Sequence, residues 1–188
     1  MGKSGTGKDT ILRELLANER LGLKKIIPYT TRPIRTGEVE GDEYHFCDRA
    51  RMEELIASGT VIEKRTYDTM HGKWDYFTVD DGQVDLESSN YALIGTLPVY
   101  TSLCSYYSKS QVVPIYIEID DGLRLSRALG RERKQSNPKY EEMCRRFLSD
   151  AKDFSEENLK VAGIETRFMN DNLKRCLGRI TSYVEQNL

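Results

Sequence analysis

Three groups of residues in this chain have the types and spacing that phosphate chemistry needs. The first is Gly2-Lys3-Ser4-Gly5-Thr6-Gly7-Lys8, which fits G-x-x-x-x-G-K. Glycines let backbone N–H groups turn inward around phosphate oxygens, and the helix that follows presents its positive end to the same anion. Gly2, Ser4, Gly5, Thr6 and Gly7 are the expected cradle, and Lys8 supplies a mobile full charge to a phosphate in transit. The strict motif continues with Ser or Thr as a Mg²⁺ ligand. Here Asp9 takes that place and Thr10 comes next, so these two oxygen donors are the expected Mg²⁺ partners.

The second group lies in the loop after Thr30. Arg32 and Arg35 stand three apart among Pro33, Gly37 and Gly41, and two guanidinium forks at that spacing can converge on one anion. Tyr44 can add a hydroxyl donor. Standing alone, such arginines read as solvated. With a phosphate loop upstream, two separate phosphate sites point to transfer between two nucleotides. The third group is Arg127, Arg131 and Arg133 around a polar break, with Arg145 and Arg146 beyond it. Spread over two helix ends, these residues can close over a triphosphate and neutralise charge in transfer; Arg133 and Arg145 read better as solvated.

The elements that must hold these groups alternate between helix and strand, the pattern of an α/β fold. Helices are predicted over residues 9–18, 48–58, 79–86, 98 onward, 121–129, 139–159 and 173–186. Strands are predicted over 25–30, 44–47, 61–64, 74–78, 91–95, 112–119 and 166–169, with a turn at His71-Gly72. Asp48 is a helix cap with Gly59 just past the end, and Asp120 or Asp121 caps the helix after 119. No repeat or linker divides the chain. A glycine-rich loop of this kind normally follows a buried parallel strand, and only Met1 stands before Gly2. The expectation is that about six residues of apolar strand upstream would complete the loop's support and raise stability and activity.

Composition narrows the function classes. The chain has 188 residues, with 28 Lys and Arg against 30 Asp and Glu, a net charge of −2. That balance argues against a general polyanion-binding surface and so against nucleic acid as a partner. No apolar run approaches the ~20 residues of a membrane span, and no signal-peptide core appears at the N-terminus, which points to an intracellular protein. Cys47, Cys104, Cys144 and Cys176 have neither zinc nor disulfide spacing and read as free thiols in or near the core.

The stretch T-T-R-x-x-R-x-G-E-x-x-G-x-x-Y-x-F over Thr30–Phe46 resembles the nucleoside-monophosphate-binding signature of the guanylate kinase family. The resemblance is specific there, good in the glycine-rich loop, and weaker after residue 66. It implies a P-loop three-layer α/β sandwich with a parallel sheet, divided into a core (1–29, 87–125, 147–188), a monophosphate-binding arm (30–86) and a lid (126–146). It implies transfer of the γ-phosphate of ATP to GMP, and to dGMP, with Mg²⁺, by a cytoplasmic monomer or homodimer. Carried over by position, Arg32, Arg35, Tyr44 and Tyr76 look like ligands of the GMP phosphate, and Glu38 supports their loop. Glu63 matches the guanine-reading carboxylate, with Thr78 a second base ligand. Arg127, Arg131 and Arg146 match the lid arginines, and Asn170 falls near the adenine ring. Three departures stand out: Ile94-Gly95-Thr96 lacks the family's central-strand acid, for which Asp9 is expected to compensate in part as a direct or water-mediated Mg²⁺ partner; Pro28-Tyr29 replace a small polar residue; and the stretch between Glu63 and Tyr76 is longer than usual. A related kinase with another phosphorylated acceptor, such as a ribose phosphate, shares the same fold. An inactive guanylate-kinase-like binding module, or a plain nucleotide-binding regulator, belongs to a different class of function.

Overall fold

The computed structural model describes residues 1–35, 37–69 and 72–188. The expected turn at His71, Thr36 of the signature stretch and Met70 lie outside the described residues. The elements in chain order are α1 (Lys8–Leu16), β1 (Leu23–Lys25), β2 (Tyr29–Thr30), β3 (His45–Phe46), α2 (Arg49–Ala57), β4 (Val61–Thr69) and β5 (Gly72–Val79). They continue with β6 (Asn90–Ala92), α3 (Leu97–Tyr107), β7 (Tyr116–Glu118), α4 (Asp121–Glu132), α5 (Tyr140–Asp153), α6 (Glu156–Val161), β8 (Arg167–Met169) and α7 (Leu173–Glu185).

The strands form two parallel pairs, β1–β6 and β7–β8, and a four-stranded sheet in the order β3-β2-β5-β4. Helices α1 and α7 cover β7–β8, burying Ile11, Leu15, Ile117, Phe168 and Ile180 together. A second cluster joins Leu97 and Tyr100 to Tyr116, Phe154 and Leu159. The two parallel pairs contribute Leu23, Tyr91 and Ile117, with Ile115 just before β7, to the wall of an apolar cavity of about 250 Å³. Met1 extends the ladder, since Ile117 N donates to Met1 O at 2.9 Å.

Four expected elements differ, each for a local reason. The strand over 25–30 is split at Pro28, which has no N–H to give; the pairing moves from β6 on one side of it to β3 and β5 on the other. The strand over 112–119 is reduced to Tyr116–Glu118, downstream of Pro114. Residues 79–86 are not a helix: β5 runs through Val79, and Asp81 Oδ1 then accepts from Gln83 N in a turn with Gly82 at φ 85°. The helix over 139–159 is two helices, because Ser155 breaks it and accepts from Asn158 N as the cap of α6. Among the thiols only Cys176 is fully buried, Cys47 and Cys104 are half-buried, and Cys144 is exposed rather than near the core.

The four-stranded sheet packs on α2 through Met52, Leu55, Phe77 and Val79. Its other support is Asp75 on β5, only 1% exposed. Asp75 accepts from Thr66 Oγ1 and from Lys64 Nζ at 3.3 Å, and Arg49 Nη2 is 3.5 Å away. Burial pushes its carboxyl pKa up, but the Thr66 and Lys64 hydrogen bonds and the Arg49 charge outweigh it and hold the pKa below the usual 3.8. A depressed carboxylate stabilises the fold above its unfolded pKa and loses that contribution as pH falls through the folded value. Asp75→Asn is therefore expected to cost about 2 kcal/mol at neutral pH. The difference in Tm from wild type should shrink as both are titrated below pH 3.8; an equal gap at every pH would contradict it.

Candidate active site

Gly2–Gly7 forms a tight turn into α1, with Thr6 N and Thr6 Oγ1 both donating to Lys3 O, at 3.3 and 2.9 Å. Two glycines are required by what surrounds them. A Cβ on Gly2 would lie 2.4 Å from Ile117 O, so the loop could not lie against β7. Gly7 sits at φ 89°, and a Cβ there would meet Asn170 Nδ2 at 2.6 Å. Asn170, at the end of β8, is buried and donates from Nδ2 to Thr6 O at 2.7 Å. It thus braces the loop itself, a role that residue spacing does not reveal because 164 residues separate the partners.

Lys8 opens α1, and burial lowers its pKa from 10.5, partly opposed by Asp9 and Asp150 and reinforced by Arg146 and Arg131. Those causes bring Lys8, Arg131, Arg146 and Asp150 into one electrostatic neighbourhood. Arg131 and Arg146 are exposed. Arg127 Nη2 donates to Asn170 O at 3.4 Å, tying α4 to the end of β8. Arg145 pairs with Glu142 on its own helix at 2.7 Å, in keeping with a solvated role. Asp9 is exposed and makes no hydrogen bond or ion pair among the described residues, and Thr10 is half-buried one position on.

The four-stranded sheet carries a second cluster. In the β4–β5 ladder Glu63 faces Thr78 and Arg65 faces Tyr76, so all four side chains share one face. A register shift between Val61 and Glu63 sets this alignment. Thr78 Oγ1 donates to Glu63 Oε1 at 2.8 Å, and Arg65 Nε donates to Glu63 Oε2 at 3.0 Å. Glu63 is 7% exposed, and a buried carboxylate with two donors already in place is positioned rather than free. Arg65 was not among the expected residues. Its signal was its position two residues from Glu63 on a strand, which puts both on one face.

Arg32 is buried, and its Nη1 and Nη2 grip both carboxylate oxygens of Glu38 at 2.9 and 2.8 Å. Its guanidinium also lies 5.4 Å from the ring centroids of Tyr44 and Phe46. Burial alone would lower the Arg32 pKa, but hydrogen bonding to Glu38 and the nearness of Tyr76 raise it. Arg32 Nε is buried without a hydrogen-bond partner among the described residues. Tyr44 and Tyr76 meet edge to face at 5.6 Å, and burial raises the Tyr44 hydroxyl pKa, keeping it a neutral donor. The structure therefore gathers Arg32, Glu38, Tyr44 and Tyr76. Arg35 is exposed and joins through its backbone: its N–H donates to Glu38 Oε2 at 2.8 Å and its O accepts from Glu38 N at 3.1 Å.

The guanylate kinase family model matches residues 1–76, which include the loop, the arginine segment and Glu63. A guanylate kinase of Neisseria gonorrhoeae is 35% identical over 114 residues, 61% of this chain and 53% of that protein. One from Neisseria meningitidis is 40% identical over 91 residues, 48% of this chain and 42% of its own length. The chain thus spans about half the length of these curated relatives. A guanylate kinase of Symbiobacterium thermophilum is 28% identical over 97% of this chain and 81% of its own. The crystal structure of guanylate kinase from Anaplasma phagocytophilum superposes with a TM-score of 0.62 over 98% of this chain and 82% of that one, at 22% identity, a likeness of fold. The loop, the arginine–tyrosine cluster and the Glu63–Thr78 pair all lie inside or beside the matched region, and over residues 1–76 the chain is similar to the guanylate kinase family.

Proposed function

We propose that the protein transfers the γ-phosphate of ATP to GMP, and to dGMP, giving ADP and GDP. The observation that carries this reading is the shared face of Glu63, Thr78, Arg65 and Tyr76, with Arg32 and Tyr44 alongside. One end of that face offers a fixed carboxylate to adjacent N–H donors, as on guanine N1 and its 2-amino group. The other offers cations and hydroxyls to a phosphate. Adenine has no such donor pair, so the face selects for guanine.

The loop of Gly2, Ser4, Gly5, Thr6 and Gly7 with Lys8 takes the ATP phosphates, braced by Asn170. Residues 30–86 act as the acceptor arm and 126–146 as a lid bringing Arg127, Arg131 and Arg146 over the transferred phosphoryl group. Positioning and charge neutralisation supply the rate, because the acceptor phosphate is already an anion and needs no general base. Asp9 and Thr10 fit Mg²⁺ as oxygen donors in the first turn of α1. No group of three His, Cys, Asp or Glu forms a metal cluster among the described residues, so most of the ion's positions would fall to phosphate oxygens and water, as Mg²⁺ prefers. Bound there, the ion would neutralise phosphate charge. The small-molecule substrates fit an intracellular protein; among the described residues no helix is long and apolar enough to cross a membrane.

A coupled assay of ADP release with ATP and Mg²⁺ across GMP, dGMP, AMP, UMP and ribose phosphates tests the proposal. GMP and dGMP should turn over at least a hundredfold faster than AMP (about 2.7 kcal/mol). Turnover with AMP or a ribose phosphate but not GMP would overturn the guanine assignment. Tight GMP binding with no turnover would make the protein a binding module.

A further inference from the structure

The phosphate loop already touches an anion. Ser4 N donates to Asp150 Oδ2 at 2.6 Å, although 146 residues separate the two. Asp150 lies on α5, one turn after Arg146. The same carboxylate oxygen is 3.4 Å from Nη1 of Arg124 on α4. Arg124 is completely buried, its guanidinium stacked 3.8 Å from the Phe147 ring centroid and its Cγ packed where a Cβ on Gly5 would come within 3.1 Å. Arg124 Nε pairs with Asp121 Oδ1 at 2.9 Å, and Nη1 lies 3.5 Å from Ser4 O. Its Nη2 is buried and has no hydrogen-bond partner among the described residues.

An aligned loop amide is an anion site, and a carboxylate on it competes with any phosphate that comes there. A buried guanidinium donor without an acceptor is costly, so an acceptor that reaches it in another state is favoured. We propose that Asp150 is a placeholder anion on the Ser4 amide, displaced by the nucleotide's phosphate and then received by Nη2 of Arg124. Asp150 and Arg146 are four residues apart on α5 and share a face. Exchange of the carboxylate for a phosphate thus releases α5 from the loop at the moment Arg146 gains an anion to meet. Asp150 and Arg124 are positioning residues in this scheme; neither touches the reacting atoms. The inference rests on reading the Gly2–Lys8 loop as a polyphosphate site.

The test is titration calorimetry of the full chain with a non-hydrolysable ATP analogue and Mg²⁺, and separately with GMP. Asp150→Asn keeps the side chain's shape and an acceptor for Ser4 while removing the like charge. It should bind the analogue about tenfold more tightly than wild type at low salt. The gain should shrink in 1 M salt (screening length about 3 Å), and GMP affinity should not change. Asp150→Glu should return to wild-type affinity. Arg124→Met, which removes the receiving cation, should bind the analogue more weakly than wild type, and adding Asp150→Asn to it should restore tight binding. A merely structural role would never make binding tighter. Unchanged or weaker analogue binding by Asp150→Asn, with GMP-dependent ADP release intact, would overturn this inference alone. No analogue binding by any form would overturn the loop reading and this inference with it.

Discussion

Lys8→Met is expected to lower turnover by about a thousandfold, within the range for removing one preorganised charge from phosphoryl transfer, while leaving the fold as stable as wild type or more so. The two halves of this result have one origin. Lys8 is desolvated, and burial pulls its pKa below 10.5 despite the carboxylates of Asp9 and Asp150. Its buried charge is costly to the fold, and in the proposed reaction a bound polyphosphate would repay that cost. Between the lowered folded pKa and 10.5 the unfolded chain holds a proton that the folded chain has released. Stability therefore rises with pH through that window, and the full desolvation cost is present below it. Lys8→Met removes both the cost and the slope. Steady-state kinetics with thermal melts at neutral and alkaline pH check it. Near-wild-type kcat would remove Lys8 from the chemistry, and a large fall in Tm would show that the ammonium is a structural support.

Glu63→Gln is expected to lower kcat/KM for GMP by about a hundredfold. A hydrogen bond to a charged acceptor contributes about 1.5–3 kcal/mol, and one carboxylate can accept two donors from guanine. Glutamine retains one acceptor and turns an N–H donor toward the other guanine donor, so at least one bond is lost and a donor–donor contact is added. Arg65 adds to the cost, because its Nε bonds Glu63 Oε2 at 3.0 Å and would be left without a charged partner. The change should fall on GMP and spare the affinity for ATP. Equal loss for both nucleotides would mean that Glu63 serves the sheet and not the base. If GMP kinetics were unchanged, the acceptor would be read elsewhere.

Much of this site was legible because its residues are close in sequence. Gly2–Lys8 is one loop whose glycines and lysine are recognisable by spacing, and Gly7 caps α1 at φ 89°, although the close approaches that exclude a Cβ come from the distant Ile117 and Asn170. Arg32 and Glu38 are six apart, within reach of one turn of loop, and they pair. Glu63 and Thr78 face each other across two strands that alternation had already marked, although the ladder runs well beyond the predicted ends, through Thr69 and from Gly72. Helix ends were legible where a side chain caps them, as Asp48 does for α2 and Asp120 for α4. Residues 79–86 and the break at Ser155 were missed because short Asp and Ser side chains redirected the backbone against the hydrophobic pattern.

The sequence by itself determined the chemistry on offer: a phosphate loop with its lysine, two arginines three apart in a glycine-rich loop, and a basic break between helices. Each is a matter of residue type at short spacing, which propensity and hydrogen-bonding capacity express without the rest of the chain. The tertiary structure decided which groups share an environment. It stripped solvent from Lys8, set Asn170 under Thr6, and linked the Ser4 amide by a hydrogen bond to Asp150 and Asp150 by an ion pair to Arg124. Those contacts join residues more than twenty apart, and only packing brings such groups within the few ångströms over which charge and hydrogen bonding act.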